Sequence, residues 1–503
     1  MNAYFLSLDA GTSGGKAVII NEIGKIKGFS KISWSQHYLV PEELEPYGHE
    51  FNPDQFWGIL VKCIQQALEN ASVESREIKA ISATSQRHGC VFLNKNGKEI
   101  YAGPNRDARG LEVDVEDYMT NEELFRITGH GTPFLFALPR LLWFKENEEE
   151  KYEAIKHLLT IDGWVNFRLT GKYTSDDTAA AETLLFDITT RNWSDRILEE
   201  FNLPHEILPE RLQFGEVIGP IKPEISQQLG FSSQIPVIMS AADTQASLIG
   251  CGAISPNSLG VVAGSTMPLQ FVIQKPLIDP NQNIWTGAFP LHRWVIESNA
   301  GSGGDIHQWF IESILSPLEI HNPWEKFEQL ALSQAPGSRG VFADLGPQIF
   351  SAQKMLLIPS GGGYQFTPIA YSFDSPINVG SFARALLENL SYAVRANYEQ
   401  IRDLTGVPSS EIYLVGGLSR SKAFTQILSN VLNSEIRILQ PEGAALAGAI
   451  ASMIGLGVYK DLEEACKSFR DHIHFYPQEA ENVEYESLYP RWREIYQESR
   501  TED

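Results

Sequence analysis

Apolar and polar positions near the N-terminus predict a strand, a tight turn and a second strand. In LSLDAGTSGGKAVII, residues 6–20, apolar runs flank the polar turn Gly11-Thr12-Ser13, and Asp9 ends the first run. The β-branched run at residues 18–20 favours a strand over a helix. The stretch is not a P-loop, because Ala17 stands where that motif needs Ser or Thr after the lysine. The chain therefore opens with a hairpin whose role depends on the rest of the sequence.

The pattern then changes to helical spacing. Residues 51–71, FNPDQFWGILVKCIQQALENA, carry apolar positions every three or four residues after an Asn-Pro-Asp start, which predicts an amphipathic helix. Residues 78–94, IKAISATSQRHGCVFLN, predict a strand, a polar corner and a second strand. A Glu-rich helical section is expected between residues 111 and 156. A Thr/Ser/Asp-rich stretch follows, which we expect to be solvated or to line a cleft.

The strand-turn-strand pattern returns in the middle of the chain. PVIMSAAD, residues 236–243, predicts an apolar strand that ends in Asp243, and a helix of small residues follows. LGVVAGSTMPLQFVI, residues 259–273, then predicts two strands around the turn Gly264-Ser265-Thr266. The repetition suggests two domains of related construction.

The C-terminal part contains paired glycines beside a predicted helix. EIYLVGGLSRSKAFTQILSNVL, residues 411–432, predicts a strand that ends at Gly416-Gly417 and a helix that opens near Ser421. Such a place suits a phosphate or a ribose, because backbone amides point at the ligand and no side chain intrudes. Residues 442–455, EGAALAGAIASMIG, predict a helix of small residues that can pack close to a ligand or to another helix.

Composition narrows the class of protein. With 503 residues the chain is too long for one core, so we expect at least two domains. Its formal net charge of −23 opposes binding to nucleic acid and to anionic membrane surfaces, but not to a nucleotide. Four scattered cysteines and no targeting segment indicate reduced thiols in a cytoplasmic protein. Residues 244–274 carry no charge, but polar and helix-breaking residues interrupt them, which favours a buried region over a membrane span.

These motifs, in this order, resemble those of the FGGY family of carbohydrate kinases. The resemblance rests on D-x-G-T-S near the N-terminus, Asp243 in SAADTQASLIGCG, the Gly-Ser-Thr turn and VGGLSRSKAFTQIL, and it runs from about residue 4 to residue 457. It implies an α/β fold of two actin-like (ribonuclease H-like) ATPase domains with a cleft between them. The expected domains are residues 1–245, with the sugar site, the phosphate loop and the catalytic aspartate, and residues 246–503, with the nucleotide site and C-terminal helices.

Several stretches are most similar to the autoinducer-2 kinases within this family, among them NRDARG at residues 105–110 and ALPRLLWFKEN at residues 137–147. The corner at residues 85–89, SQRHG, keeps features of the xylulose kinases, and its Arg87 is shared with the glycerol kinases. The resemblance therefore implies ATP-dependent phosphorylation of a hydroxyl of a small sugar or sugar-like substrate. A pentulose kinase is the alternative. A sugar-responsive ATP-binding regulator without turnover is an alternative of another class. Such a regulator needs no general base, so the presence of Asp9, Thr12 and Asp243 disfavours it.

The resemblance also implies roles in phosphoryl transfer. Asp243 would be the general base for the attacking hydroxyl, although by pattern alone it could simply cap the following helix. Asp9 would bind Mg²⁺, directly or through water, and the alternative is a turn-capping aspartate. Lys16 could equally be an ordinary exposed lysine, and the glycines could serve turn geometry alone. The residues expected to hold ATP are Thr12, Ser13, Lys16, Gly264, Ser265, Thr266, Gly301, Gly416 and Gly417.

A sugar needs dense, directional hydrogen-bond donors and acceptors, and the polar corner supplies them. The residues expected to face the sugar are Gln86, Arg87, His88, Asn105, Asp107 and Arg109, together with Asp243. His88 could instead be a satisfied polar core residue, and Arg109 could form a salt bridge with Asp107. The expected partners are a small-molecule sugar and ATP, with no nucleic acid and no membrane, and a homodimer is possible.

Overall fold

The structure is a computed structural model, and it describes residues 3–131, 133–353, 362–367, 377–439, 443–469 and 472–500. The chain divides into two compact units, each built from separate segments. The first unit comprises Met1–Gly252, Ile273–Val295 and Glu442–Arg470, and the second comprises Ala253–Val272, Ile296–Pro441 and Asp471–Asp503. The functional domain boundary after residue 245 stays a prediction.

The α-helices of the described residues begin with α1, which follows the capping residue Asn52. Their bounds are α1 Pro53–Ala71, α2 Asn121–Thr128, α3 Ala137–Asn147, α4 Glu149–Ala154, α5 Ile161–Thr170, α6 Asp177–Ala181, α7 Asp195–Glu200, α8 Pro223–Leu229, α9 Asp243–Cys251, α10 Gly304–Phe310, α11 Pro323–Leu332, α12 Val379–Thr405, α13 Lys422–Leu432, α14 Gly443–Gly455, α15 Leu462–Ser468 and α16 Glu479–Glu498.

The strands of the first unit's main sheet are β1 Tyr4–Ala10, β2 Gly14–Asn21, β3 Ile26–Ser33, β6 Ile78–Ser85, β14 Val217–Pro220 and β15 Pro236–Met239. The smaller strands before residue 212 are β4 Tyr38–Leu39, β5 Glu50–Phe51, β7 Cys90–Leu93, β8 Glu99–Gly103, β9 His157–Thr160, β10 Thr174–Ser175, β11 Phe186–Asp187, β12 Asn192–Trp193 and β13 Glu210–Arg211. The later strands are β16 Ser258–Val262, β17 Thr266–Ile273, β18 Trp285–Phe289, β19 Arg293–Ser302, β20 Val341–Asp344, β21 Gly363–Phe366, β22 Glu411–Val415, β23 Ile436–Ile438 and β24 Ile473–Phe475.

Two mixed sheets share one topological pattern. The six-stranded sheet has the order β14-β15-β6-β1-β2-β3, and the seven-stranded sheet has the order β18-β19-β17-β16-β22-β23-β24. In the first, β1 pairs antiparallel with β2 and parallel with β6. In the second, β16 pairs antiparallel with β17 and parallel with β22. The two predicted hairpins are therefore confirmed, and each one lies inside its own sheet with a further strand paired on either side.

Other local predictions are also confirmed. Asn52 caps α1 by accepting a hydrogen bond from the backbone N–H of Gln55, as the Asn-Pro-Asp start predicts. The polar corner lies between β6 and β7, and α13 follows its capping residue Ser421. The four cysteines are free and buried. In the described parts of the chain, no helix combines the length and the apolar character that a membrane span requires.

The Thr/Ser/Asp-rich stretch around α6 was expected either to be solvated or to line a cleft, and the first expectation is wrong. It is not solvated, because α6 and its flanking residues Asp176 and Glu182 are all buried. Asp176 caps α6 by accepting hydrogen bonds from the backbone N–H groups of Thr178 and Ala179. Buried polar groups need such partners, and here the chain supplies them locally.

The small-residue helix α14 packs unusually close to three neighbours of the first unit. A Cβ atom added to Gly448 would lie 2.3 Å from Ser7 Oγ of β1 and 2.4 Å from Ser82 Oγ of β6. A Cβ atom added to Gly250 of α9 would lie 1.8 Å from the carbonyl oxygen of Gly443. Glycine at these positions allows the backbones to approach, and α9 and β1 are thereby held against a common helix.

We expect Gly250→Ala to lower the free energy of unfolding by about 1–3 kcal/mol, because the new methyl group overlaps backbone that cannot simply rotate away. Urea unfolding measures the change. Gly58→Ala in α1 is the matched control, since no atom lies within 4 Å of its added Cβ. Alanine there should stabilise by about 0.5–1 kcal/mol. Equal midpoints for the two variants would contradict the close packing of α9 on α14.

Candidate active site

The turn between β1 and β2 brings an aspartate and a lysine together. The backbone N–H of Gly11 donates to the carbonyl oxygen of Gly14 over 3.1 Å, which closes the turn. Lys16 Nζ lies 2.7 Å from Asp9 Oδ2, so this lysine is an ion-pair partner and not simply an exposed strand residue. Asp9 Oδ1 is buried and accepts no hydrogen bond from the described residues. This oxygen can therefore accept a ligand.

The polar corner is tied to the opening turn through Asn105. Its Nδ2 donates to Thr12 Oγ1 over 2.9 Å, and its backbone N–H donates to Gln86 Oε1 over 3.0 Å. Gln86 Nε2 donates in turn to the carbonyl oxygen of Gly11 over 3.3 Å. The structure thus brings together three predicted site residues that are far apart in the sequence.

Asp243 is the first residue of α9, but it does not cap that helix. The capping position is Ala242, and no side chain makes a capping hydrogen bond there. Asp243 Oδ1 accepts a hydrogen bond from Thr244 Oγ1 over 3.2 Å and lies 4.0 Å from Arg87 Nε. The capping alternative is therefore not realised, and the carboxylate remains available for chemistry.

The surroundings of Asp243 favour its protonated form. Burial raises the pKa of Asp243 to about 7, Arg87 opposes the rise, and the charge of Asp9 adds to it. The side chain is nevertheless 33% exposed, so solvent screening moderates the shift. A carboxyl with a pKa raised toward neutrality is suited to accept a proton in catalysis.

A buried carboxylate, Glu182, organises the other side of the corner. Glu182 Oε1 accepts a hydrogen bond from Arg87 Nη1 over 2.9 Å, and its Oε2 lies 2.8 Å from His88 Nε2 and 3.8 Å from His130 Nε2. Burial opposes ionisation of Glu182, but Arg87 and His88 outweigh it and hold the pKa of Glu182 below its usual range. Glu182 is therefore a buried anion.

His88 is held in a strained position beside aromatic rings. Its φ of 63° lies in the left-handed region, which is costly for a residue with a Cβ atom. The ring makes edge contacts with Phe136 and Trp285, at centroid distances of 4.7 and 5.8 Å. Burial lowers the pKa of His88, and the contact with Glu182 offsets part of that change.

Asp107 and Arg109 form a separate buried network. Arg109 Nε lies 2.7 Å from Asp107 Oδ2, and Arg109 Nη2 lies 2.7 Å from Glu50 Oε1. Tyr101 donates its hydroxyl to Asp107, and the guanidinium of Arg109 lies over the rings of Tyr101 and Trp143. This is the salt bridge that the sequence left open as an alternative for Arg109.

The second unit contains three glycine-rich loops close together. The turn after β16 packs on the start of α10, because the backbone N–H groups of Gly303 and Gly304 donate to the carbonyl oxygens of Ser265 and Gly264 over 2.8 Å. Ser265 and Thr266 are exposed. Thr266 is the first residue of β17, so the turn itself is one residue shorter than the sequence predicts.

Gly416 and Gly417 adjoin this turn. Ala263, just before the turn, donates its N–H to Val415 and accepts a hydrogen bond from the N–H of Leu418. Gly416 has φ 100°, and an added Cβ would lie 2.6 Å from the carbonyl oxygen of Ala263, whereas a Cβ at Gly417 would meet nothing within 4 Å. Position 416 therefore requires glycine, because a side chain there would strain the backbone and overlap the carbonyl group of Ala263.

Gly301 is likewise required by its backbone. Its φ is 79°, and an added Cβ would lie 2.8 Å from the carbonyl oxygen of Gly346. It lies two residues before Gly303, at the end of β19, and is buried. The three glycine segments therefore border one region of the second unit.

A metal cage of protein ligands is not visible in the described residues. His, Cys, Asp and Glu side chains there do not form a group of three or more that could hold a metal ion. The free oxygen of Asp9 fits a single contact to Mg²⁺, which usually keeps several waters and binds phosphate oxygens as well.

Sequence reasoning missed Glu182 and His130. Glu182 could have been noticed in the sequence, because it is the one charged residue in the otherwise uncharged run TAAAETLLF. Buried charges are almost always paired, so such a residue points to cationic or polar partners elsewhere in the chain. Those partners, at positions 87, 88 and 130, are distant in sequence and could not be read from local pattern.

Comparisons with known proteins identify the family of the chain. The models of the N-terminal and C-terminal domains of the FGGY family of carbohydrate kinases match residues 4–250 and 261–454. An autoinducer-2 kinase of Salmonella paratyphi A is 29% identical to this chain, and the alignment covers 99% of this chain and 94% of that protein.

Two solved structures share the fold. A ligand-bound xylulose kinase from Lactobacillus acidophilus is 22% identical, with a TM-score of 0.85 and coverage of 99% of both chains. A gluconate kinase from the same organism is 22% identical, with a TM-score of 0.84 and coverage of 100% of this chain and 99% of that chain. Because the two family models together match most of the sequence, the chain belongs to the FGGY family of carbohydrate kinases.

Proposed function

We propose that this carbohydrate kinase transfers the γ-phosphoryl group of ATP to a hydroxyl of a small sugar-like compound, most similar to the substrate of the autoinducer-2 kinases. The observation that carries the proposal is Asp243, a partly exposed carboxylate with a pKa near 7 that caps nothing. The full-length similarity to an autoinducer-2 kinase favours that substrate class. A pentulose is the second candidate, because a xylulose kinase shares the fold at a TM-score of 0.85.

In the proposed reaction, Asp243 takes the proton of the attacking hydroxyl. The freed oxygen then attacks the γ-phosphorus, the bond to the β-phosphate breaks, and ADP leaves with the bonding electron pair. Arg87, 4.0 Å from the carboxylate, orients the base without forming a tight ion pair with it. A looser contact leaves Asp243 more basic than a direct salt bridge would.

The sugar is assigned to the residues around this base in the proposed N-terminal domain, 1–245. Gln86, Arg87, His88 and Asn105 would contact its hydroxyls. Asp107 and Arg109 are 0% and 1% exposed as side chains, so we assign them a supporting role. They would hold the segment that carries Asn105, since a buried, satisfied network rigidifies its surroundings.

The nucleotide is assigned to the glycine segments of the proposed C-terminal domain, 246–503, and to the opening turn. Gly264, Ser265 and Thr266 would grip phosphate oxygens, as would Thr12, Ser13 and Lys16. Gly301, Gly416 and Gly417 would accept the nucleoside. Asp9 would hold Mg²⁺, which neutralises phosphate charge when it is bound. A homodimer and a cytoplasmic location stay predictions.

An assay of ATP consumption across glycerol, D-xylulose, L-ribulose, gluconate and the autoinducer-2 precursor tests the proposal. We expect the largest kcat/KM with the autoinducer-2 precursor. Faster turnover of a pentulose would favour the second candidate. Clear binding of one compound with no ATP consumption on any of them would favour a regulator without turnover.

Asp243→Asn should lower kcat by about a hundredfold to ten-thousandfold, which corresponds to roughly 3–5 kcal/mol. Asparagine keeps the size of the side chain but cannot take the proton. Calorimetry should find ADP binding unchanged. Asp54→Asn is the control, because Asp54 lies in the first turn of α1 with a side chain that is 87% exposed, and its kcat should not change. Near-normal turnover by a folded Asp243→Asn protein would contradict the assignment.

The pH dependence of kcat follows from the same carboxylate. A base must be unprotonated, so the wild-type rate should rise with pH through about 7, where Asp243 loses its proton. Because its folded pKa is raised above the unfolded value of about 4, Asp243 lowers the stability of the folded state as pH rises from about 4 to about 7, and the loss is complete above that range. Asp243→Asn should therefore remove this limb of the rate profile and leave the melting temperature at pH 8 equal or higher.

Arg87→Lys should raise the KM for the sugar by about tenfold to a hundredfold, because hydrogen bonds to charged groups contribute about 1.5–3 kcal/mol. Lysine keeps the charge, and with it a partner for Glu182, but it loses the planar fork of donors. Steady-state kinetics with each substrate varied should show little change in the KM for ATP. Equal losses for both substrates would mean that Arg87 is structural.

A further inference from the structure

We propose that Glu182 is a positioning residue of the sugar site, which holds Arg87 and His88 in place and keeps Arg87 from closing onto Asp243. The inference rests on the proposed function and deepens it, because it assigns control of sugar affinity to a residue that does not touch the sugar. It is carried by the contacts, the burial and the backbone strain of this cluster.

The two oxygens of Glu182 serve different partners. Oε1 accepts from Arg87 Nη1 over 2.9 Å, and Oε2 lies 2.8 Å from His88 Nε2. Arg87 Nε is 4.0 Å from Asp243 Oδ1, well beyond a hydrogen bond. The guanidinium of Arg87 is thus hydrogen-bonded to the Glu182 carboxylate and lies farther from the Asp243 carboxylate. Its position relative to Asp243 is set by Glu182.

Exposure decides which of these groups can meet a ligand. The side chains of Asp243, His88, Arg87 and Glu182 are 33%, 12%, 8% and 1% exposed. Glu182 lines a cavity of about 10 Å³ together with Gln86, Arg87, His88, Thr160 and Asp162. That is room for about one water and not for a sugar. Glu182 therefore acts through Arg87 and His88.

The strain at His88 gives Glu182 a second task. A residue with φ 63° persists only when its surroundings hold it there. Phe136 and Trp285 enclose the His88 ring from the sides, and Glu182 contacts its Nε2. The Nε2 atom of a second buried histidine, His130, lies 3.8 Å from Glu182 Oε2. Loss of the carboxylate would release both the ring and the guanidinium.

A double-mutant cycle between Arg87 and Glu182 tests this role, with the panel compound that the wild-type protein turns over fastest as the sugar probe. Glu182→Gln should raise the KM for that compound about tenfold to a hundredfold, since small displacements of positioning groups cost that much. The KM for ATP should stay within about twofold, in line with separate sites. In an Arg87→Lys background, Glu182→Gln should raise the sugar KM by a smaller factor than it does in the wild type, because the part of its effect that acts through Arg87 is already lost and only the part through His88 remains.

Asp177→Asn is the matched control. Asp177 is also a buried carboxylate, five positions before Glu182, but it pairs with Arg191 and Arg211. The Asp177→Asn substitution should lower the melting temperature. It should leave the sugar KM unchanged, both in the wild-type background and in the Arg87→Lys background. Glu182→Asp, which keeps the charge, should recover part of the sugar affinity if Glu182→Gln folds poorly.

The outcomes separate this inference from the proposed function. The positioning role would be overturned if the double variant raised the sugar KM by the full product of the two single effects. It would also be overturned if Glu182→Gln weakened sugar and ATP affinity equally. Turnover by the wild type would uphold the kinase proposal in either case. No turnover of any panel compound by the wild type would overturn the proposed function, and the sugar role of Glu182 with it.

Discussion

The close approach of α14 to β1, β6 and α9 is the constraint on which the rest of the first unit depends. It is possible only because glycine stands at the contact points, where a single added carbon would lie 1.8 Å from Gly443 O or 2.3 Å from Ser7 Oγ. The strand β1 ends beside Asp9, and α9 begins with Asp243. Packing both elements on one helix fixes the two carboxylates relative to each other, and it does so with backbone, which cannot adjust as side chains do.

The electrostatics of the site depend on two cationic side chains, which lie beside three carboxylates. Lys16 is paired with Asp9, and Arg87 is shared between Glu182 and Asp243. The buried partner, Glu182, takes the closer contact and remains ionised. The more exposed partner, Asp243, lies farther from the Arg87 guanidinium and has a raised pKa. The proposed general base needs a pKa near neutral pH, and this division between the two carboxylates is compatible with that role.

The sequence by itself determined the local elements and the family. The opening hairpin, the capped helix α1, the polar corner after β6 and the glycine turns after β16 and β22 are all encoded by short local patterns. Such patterns are set by side-chain alternation, capping groups and backbone freedom, which act between neighbours in the chain. The order of four such motifs was enough to indicate the FGGY kinases, and the family comparison confirms it.

Only the tertiary structure decided how the charged groups are paired and which of them remain available. Glu182 and Arg87 are 95 residues apart in sequence, and no periodicity records that they touch. The same holds for Glu50 and Arg109, which are 59 residues apart in sequence and form a part-buried ion pair. The physical reason is that the pKa and the role of an ionisable group depend on burial and on neighbouring charges, and long-range packing sets both.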